Sequence, residues 1–143
     1  MRAVFLALAL CVSQAAWASD LVTYPIQFIH GTQKATVEGR IVGQNDVDYT
    51  VRARAGQMAK ISLSGQNAGL AFNLMAPGET NVAFYNGAVS GNRFEGALPK
   101  DGVYRIRVYL TKGAVSNNEV ARYRLDVKIG TASAKPAASH RPH

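Results

Sequence analysis

Residues 103–110, VYRIRVYL, and 123–129, YRLDVKI, alternate apolar and polar side chains with a period of two. That period belongs to a strand with one face in a core and the other toward solvent, and no helix reproduces it. In the first stretch Tyr104, Ile106, Val108 and Leu110 are assigned inward and Arg105, Arg107 and Tyr109 outward. In the second, Tyr123, Leu125, Val127 and Ile129 are inward, and Arg122, Arg124, Asp126 and Lys128 outward. The outer surface these strands share is therefore basic. Arg52 and Arg54 extend it, and such charges also discourage edge pairing.

The same period recurs on both sides. Val22 to Phe28, Val37 and Ile41 around Gly39, Val47 to Ala55, Ala59 to Leu63, Leu70 to Leu74, Val82 to Phe84 and Phe94 to Leu98 each read as a strand. Turn chemistry separates them at His30-Gly31-Thr32, Gly43 to Asp46, Ala55-Gly56-Gln57, Ala76-Pro77-Gly78 and Pro99 to Gly102. No stretch carries a sustained helical stripe. About eight or nine short strands at this spacing predict an all-β fold, a single-domain antiparallel β-sandwich or jelly roll.

The ends of the chain differ from its middle. Met1-Arg2 followed by the apolar run Ala3 to Leu10 and by Ala16-Trp17-Ala18 has the form of a secretory signal, with cleavage expected before Ser19. Cys11 lies inside the apolar run after Leu10, not after a small residue, so it reads as signal filler. Residues 1–18 are thus a signal peptide, 19–130 the sandwich, and 131–143, TASAKPAASHRPH, a basic Ala/Ser/Pro tail expected to be disordered. The expected location is the periplasm. With no cysteine after position 11, the domain must be held by burial alone, for which about 125 residues suffice.

The whole chain has 16 Lys and Arg against 9 Asp and Glu, and loss of Arg2 with the signal leaves it basic. Acidic proteins, anionic polymers, lipid surfaces and nucleic acid all attract such a charge. Nucleic-acid surfaces interleave the charge with exposed aromatics, and here only Tyr109 joins the basic face, so no nucleic-acid partner is expected. No stable membrane insertion is expected either, since the one apolar run is too short to span a bilayer.

Catalytic chemistry finds few materials. The domain holds one histidine, His30, in a turn, and lacks a thiol and a nucleophile-elbow pattern. Glu38, Asp46 and Asp48 lie near one another, but the alternating acids, glycine and distal Glu of a calcium loop are missing. Asp46 reads instead as a turn residue accepting backbone N–H groups. No enzyme activity, metal or cofactor is expected.

Two segments, YTVRARAGQMAKISL (49–63) and LPKDGVYRIRVYL (98–110), are similar to the bacterial pre-peptidase C-terminal type of β-sandwich. In that fold a Gly-Gln turn joins two strands and an Asp-Gly turn launches a Tyr-rich strand. More of the chain, from about Gln27 to Ile129, resembles the periplasmic inhibitors of g-type lysozyme. The likeness runs through FIHGTQKATVEGRIVG (28–43), DYTVRARAGQ (48–57), the 98–110 strand and NNEVARYRLDVKIG (117–130). The resemblance implies a non-catalytic envelope protein whose loops plug the lysozyme's glycan-cleaving cleft. It places two loop arginines of the family on Lys112 and Ser116 and an early-turn aromatic on Gln44; of these only the charge at Lys112 is kept, without a guanidinium's forked geometry. Asn117, Asn118 and Tyr109 complete the expected partner-binding set. A second function class fits the same residues: a module that binds an envelope glycan or another envelope protein, with the basic face touching an envelope polymer.

Overall fold

The computed structural model describes residues 21–28, 33–111 and 120–132. The signal segment, His30, Lys112, Ser116, Asn117, Asn118 and most of the 131–143 tail lie outside the described residues. Among the described residues nine strands form two sheets. They are β1 (Val22–Pro25), β2 (Lys34–Val42), β3 (Val47–Ala53), β4 (Gln57–Gly65), β5 (Leu70–Met75), β6 (Tyr85–Asn86), β7 (Arg93–Ala97), β8 (Gly102–Leu110) and β9 (Val120–Ala132). The first sheet has the order β1-β3-β8-β5-β6 and the second β2-β9-β4-β7. The expected sandwich is thus observed.

The inward residues assigned by alternation form the core. Phe72, Leu74, Tyr104, Ile106, Val108 and Leu125 are fully buried between the sheets, and burial of each large apolar side chain stabilises the fold by about 1.5–3 kcal/mol. Tyr123 crosses the middle, its hydroxyl 2.5 Å from that of Tyr49 in the opposite sheet. Gly39, paired with Tyr123, is the residue that lets it lie there: a Cβ at Gly39 would stand 2.5 Å from the Tyr123 hydroxyl oxygen. Burial pushes the pKa of both phenols up, so the pair is neutral and one hydroxyl donates to the other.

Three expectations change. β1 runs parallel to β3, Val22 beside Val47 and Pro25 beside Thr50, so the first sheet is mixed instead of antiparallel throughout. Alternation marks a strand but carries no information about its partner's direction. Val82 to Phe84 is not a strand. Phe84 N–H donates to the Leu74 carbonyl, β6 follows for two residues, and Asn86 caps a four-residue helix, α1 (Gly87–Ser90), by accepting from Ala88 N–H. Finally, β9 continues through Ala132, which pairs with Gln57, two residues into the segment read as tail.

Candidate functional site

Strand register places three connections at one end of the sandwich. Val42 faces Val120, Val47 faces Val108, and Leu70 faces Leu110. The Gly43–Asp46 turn, the Gln66–Gly69 turn and both ends of the 111–120 connection therefore lie together, and Thr111 N–H donates to the Gly69 carbonyl over 2.8 Å. Gln44 and Asn45 are exposed on the first turn. Gln44 also stands on the wall of an open groove of about 890 Å³ between β1 and β2, floored by Val37, Tyr49 and Tyr123.

Of the sequence-derived site residues, Gln44 and Tyr109 are described. Gln44 is exposed on its turn. Tyr109, assigned to solvent, is half-buried on the outer face of the first sheet, and its hydroxyl donates to Asn73 Oδ1 at 3.1 Å. Burial, and then the charge of Asp46, push its pKa up. Tyr109 thus braces the strand that leads into the 111–120 connection.

Beside it lies a group that alternation did not anticipate. Asp48 has no exposed surface, yet it sits on the outer face, opposite Arg107 in the register. Its carboxylate accepts from Arg107 Nε at 2.8 Å and Nη2 at 3.0 Å, and from Arg105 Nη1 at 2.9 Å. The two arginines, expected to face solvent freely, cover the acid instead. The hydrogen bonds that Arg107 donates to Asp48 push the Arg107 pKa up. The signal in the sequence was an acid at an outward position of one strand and two arginines at outward positions of another; the missing fact was that β3 and β8 are neighbours. Asp46, one turn of the pleat away, has its pKa raised by burial first, against the opposing pull of Arg107 and with a further push from Asp48. The turn acceptor role expected of Asp46 is filled by backbone: Asn45 N–H donates to the Val42 carbonyl and Asp46 N–H to that of Gln44.

The single basic surface expected of 103–110 and 123–129 is instead two, because β8 and β9 lie in opposite sheets, and the charge is unevenly divided between them. On the first sheet Asp46 and Asp48 offset Arg105 and Arg107. On the second, Arg40 and Arg122 are cross-strand partners, as are Lys34 and Lys128, and Lys60 and Lys128, while Asp126 pairs with Arg124 at 3.2 Å and Lys60 with Glu95 at 3.3 Å. Cation outweighs anion there. Among the described residues no group of three or more His, Cys, Asp or Glu could hold a metal ion, and no helix is long and apolar enough to cross a membrane.

Known proteins share this fold. No family model matches the chain. It is 29% identical over 132 residues to an inhibitor of g-type lysozyme from Escherichia coli, spanning 90% of this chain and 96% of that protein. The crystal structure of a periplasmic lysozyme inhibitor of g-type lysozyme from Aeromonas hydrophila superposes with a TM-score of 0.71 at 29% identity, covering 76% of this chain and 96% of the other. The pre-peptidase C-terminal domain of a Bacillus anthracis collagenase superposes at 0.54 with 20% identity, over 76% of this chain and 95% of the domain, a likeness of fold alone. Both resemblances read from the sequence are borne out, the wider one as fold and the narrower one in sequence and fold together.

Proposed function

We propose that this protein is a non-catalytic periplasmic inhibitor of a g-type lysozyme, exported with cleavage before Ser19, and that it presents side chains from the open end of the sandwich to the enzyme's cleft. The observation that carries this reading is the two-way match to such inhibitors, which leaves almost none of either relative unmatched. The chemistry agrees with it. A glycan-cleaving cleft holds catalytic carboxylates, and a cation with hydrogen-bonding neighbours is their complement. Lys112 supplies the cation, Gln44, Ser116, Asn117 and Asn118 supply donors, and Tyr109 steadies the strand from which the connection departs. The register supports this grouping, since Gln44 belongs to the turn beside both ends of that connection.

Titration of the protein from Ser19 onward into a g-type lysozyme assay, with c-type and i-type enzymes in parallel, tests the reading. Selective loss of g-type activity is expected. Equal loss of all three, or of none, would remove it. Ser116→Arg and Gln44→Tyr, which rebuild the relatives' groups on the same scaffold, should preserve or tighten inhibition. The cation excess on the second sheet favours a second reading, an envelope-binding module; it predicts retention on an anionic envelope polymer with g-type activity untouched.

A further inference from the structure

Among the described residues β2 is the terminal strand of the second sheet, and its outer edge lies open along the groove. Ile129 N–H donates to the Gln33 carbonyl. Every second residue after Gln33, through Ile41, consequently directs its backbone groups toward β9. Thr36, Glu38 and Arg40 direct theirs the other way, and among the described residues no backbone bond joins them to another segment. Natural edges are shortened, bulged, interrupted by proline or given charged side chains, and on β2 the charges are of both signs, Glu38 beside Arg40. The other edges, β1 with 4 residues, β6 with 2 and β7 with 5, are short. β2 has 9 residues in unbroken register with β9 and contains no proline.

The geometry points to an antiparallel pairing of β2 with β2 of a second copy of this chain, about a two-fold axis at Gly39. The outward backbone groups belong to even-numbered residues, so only registers that oppose even to even can form hydrogen bonds. Centring on Glu38 sets Glu38 against Glu38, and centring on Arg40 sets Arg40 against Arg40. Centring on Gly39 sets Glu38 of each copy against Arg40 of the other, twice, on one face of the continuous sheet. Opposite charges directly across an antiparallel pair are stabilising and like charges are not, so charge selects the Gly39 register. Val22 and Tyr24, 41% and 52% exposed on β1 along the same side of the sandwich, would be covered as the copies meet. The strands oppose one another, so the open ends of the two copies point in opposite directions. The pairing does not depend on the proposed inhibitory function.

Sedimentation velocity from micromolar to submillimolar protein tests it. The wild type is expected to reach the mass of a dimer. Glu38→Arg puts arginine opposite arginine and Arg40→Glu puts glutamate opposite glutamate, so each variant alone should be monomeric. Mixed in equal amounts, the two variants should dimerise, because both cross-strand pairs become complementary, and the double variant Glu38→Arg/Arg40→Glu should dimerise by itself. Recovery in the mixture also shows that both variants fold. A monomeric wild type, a dimer that survives both single variants, or a mixture that stays monomeric would each overturn the pairing.

Discussion

The two ends of the sandwich are built differently. At one, the turns are tied to each other by side chains. Asp101 accepts from Ala55 N–H at 2.7 Å, Gln57 accepts from Arg54 N–H and donates to the Gly130 carbonyl, and the Tyr104 hydroxyl both accepts from Lys100 N–H and donates to the Lys100 carbonyl. Gly56 and Gly102, with φ of +85° and +135°, permit these turns, and a Cβ at Gly102 would meet Pro77 at 2.8 Å. At the other end Gln44 and Asn45 point away from the fold, and the Gly43–Asp46 turn is closed by its own backbone. Polar side chains tie turn to turn at the first end, whereas at the second Asn67 closes its own turn by accepting from Gly69 N–H at 2.7 Å and Gln44 and Asn45 are left exposed. Substitutions should then separate into those that change stability and those that change inhibition.

The largest expected effect falls just beneath the open end, where Asp48 anchors β3 to β8. Asp48→Ala leaves two guanidinium groups over a vacated, water-poor position, and breaking a buried ion pair on one side costs about 3 kcal/mol. Urea unfolding measures it. A loss below about 1 kcal/mol, within the range of an exposed pair, would mean that the display end has no such footing. Next comes Lys112, for which contact with a carboxylate of the enzyme is proposed; a desolvated contact of that kind is worth about 2 kcal/mol. Lys112→Ala should weaken binding roughly thirtyfold at low salt while the thermal midpoint stays put. An unmoved dissociation constant, with the fold intact by circular dichroism, would take this connection out of the site.

The tied end was legible in the sequence because its instructions are local. Gly56-Gln57 and Asp101-Gly102 specify turns within a few residues, and alternation in 103–110 and 123–129 names the buried side chains directly. What escaped was set by pairing at a distance. Asp48 and Arg107 are 59 positions apart, and Tyr49 and Tyr123 are 74 apart. Parity puts the first pair on an outer face and the second in the core, but only strand order makes them neighbours. The parallel β1 is the same kind of case. The candidate site was half legible: the resemblance pointed to Gln44, and register then set its turn beside the 111–120 connection, but no periodicity marks a displayed side chain as a contact.

A smaller effect is expected at the tied end. Tyr104→Phe removes one hydroxyl that serves both backbone groups of Lys100, and a hydrogen-bonding group of this kind is worth about 1 kcal/mol. The thermal midpoint should fall and inhibition of g-type lysozyme should not change. A variant that kept its stability and lost inhibition would erase the distinction between the ends.

The smallest effect tests whether the display end carries a cost. Burial raises the pKa of Asp46 in the folded protein, so the folded state holds this proton more readily than the unfolded chain does. Stability linked to Asp46 is therefore greatest in acid, falls as pH rises from the ordinary carboxyl pKa through the raised folded one, and stays reduced above it. Arg107 opposes the shift and Asp48 adds to it, so the sign rests on burial outweighing the nearby cation. Asp46→Asn removes the titration. The variant should be slightly more stable than the wild type at neutral pH, and the difference should close as the pH drops below the ordinary carboxyl range. Urea unfolding of both proteins across that range reads it directly. If the wild type instead gained on the variant with rising pH, the Arg107 attraction would dominate, and Asp46 would belong with Asp48 as footing and not with Gln44 as display.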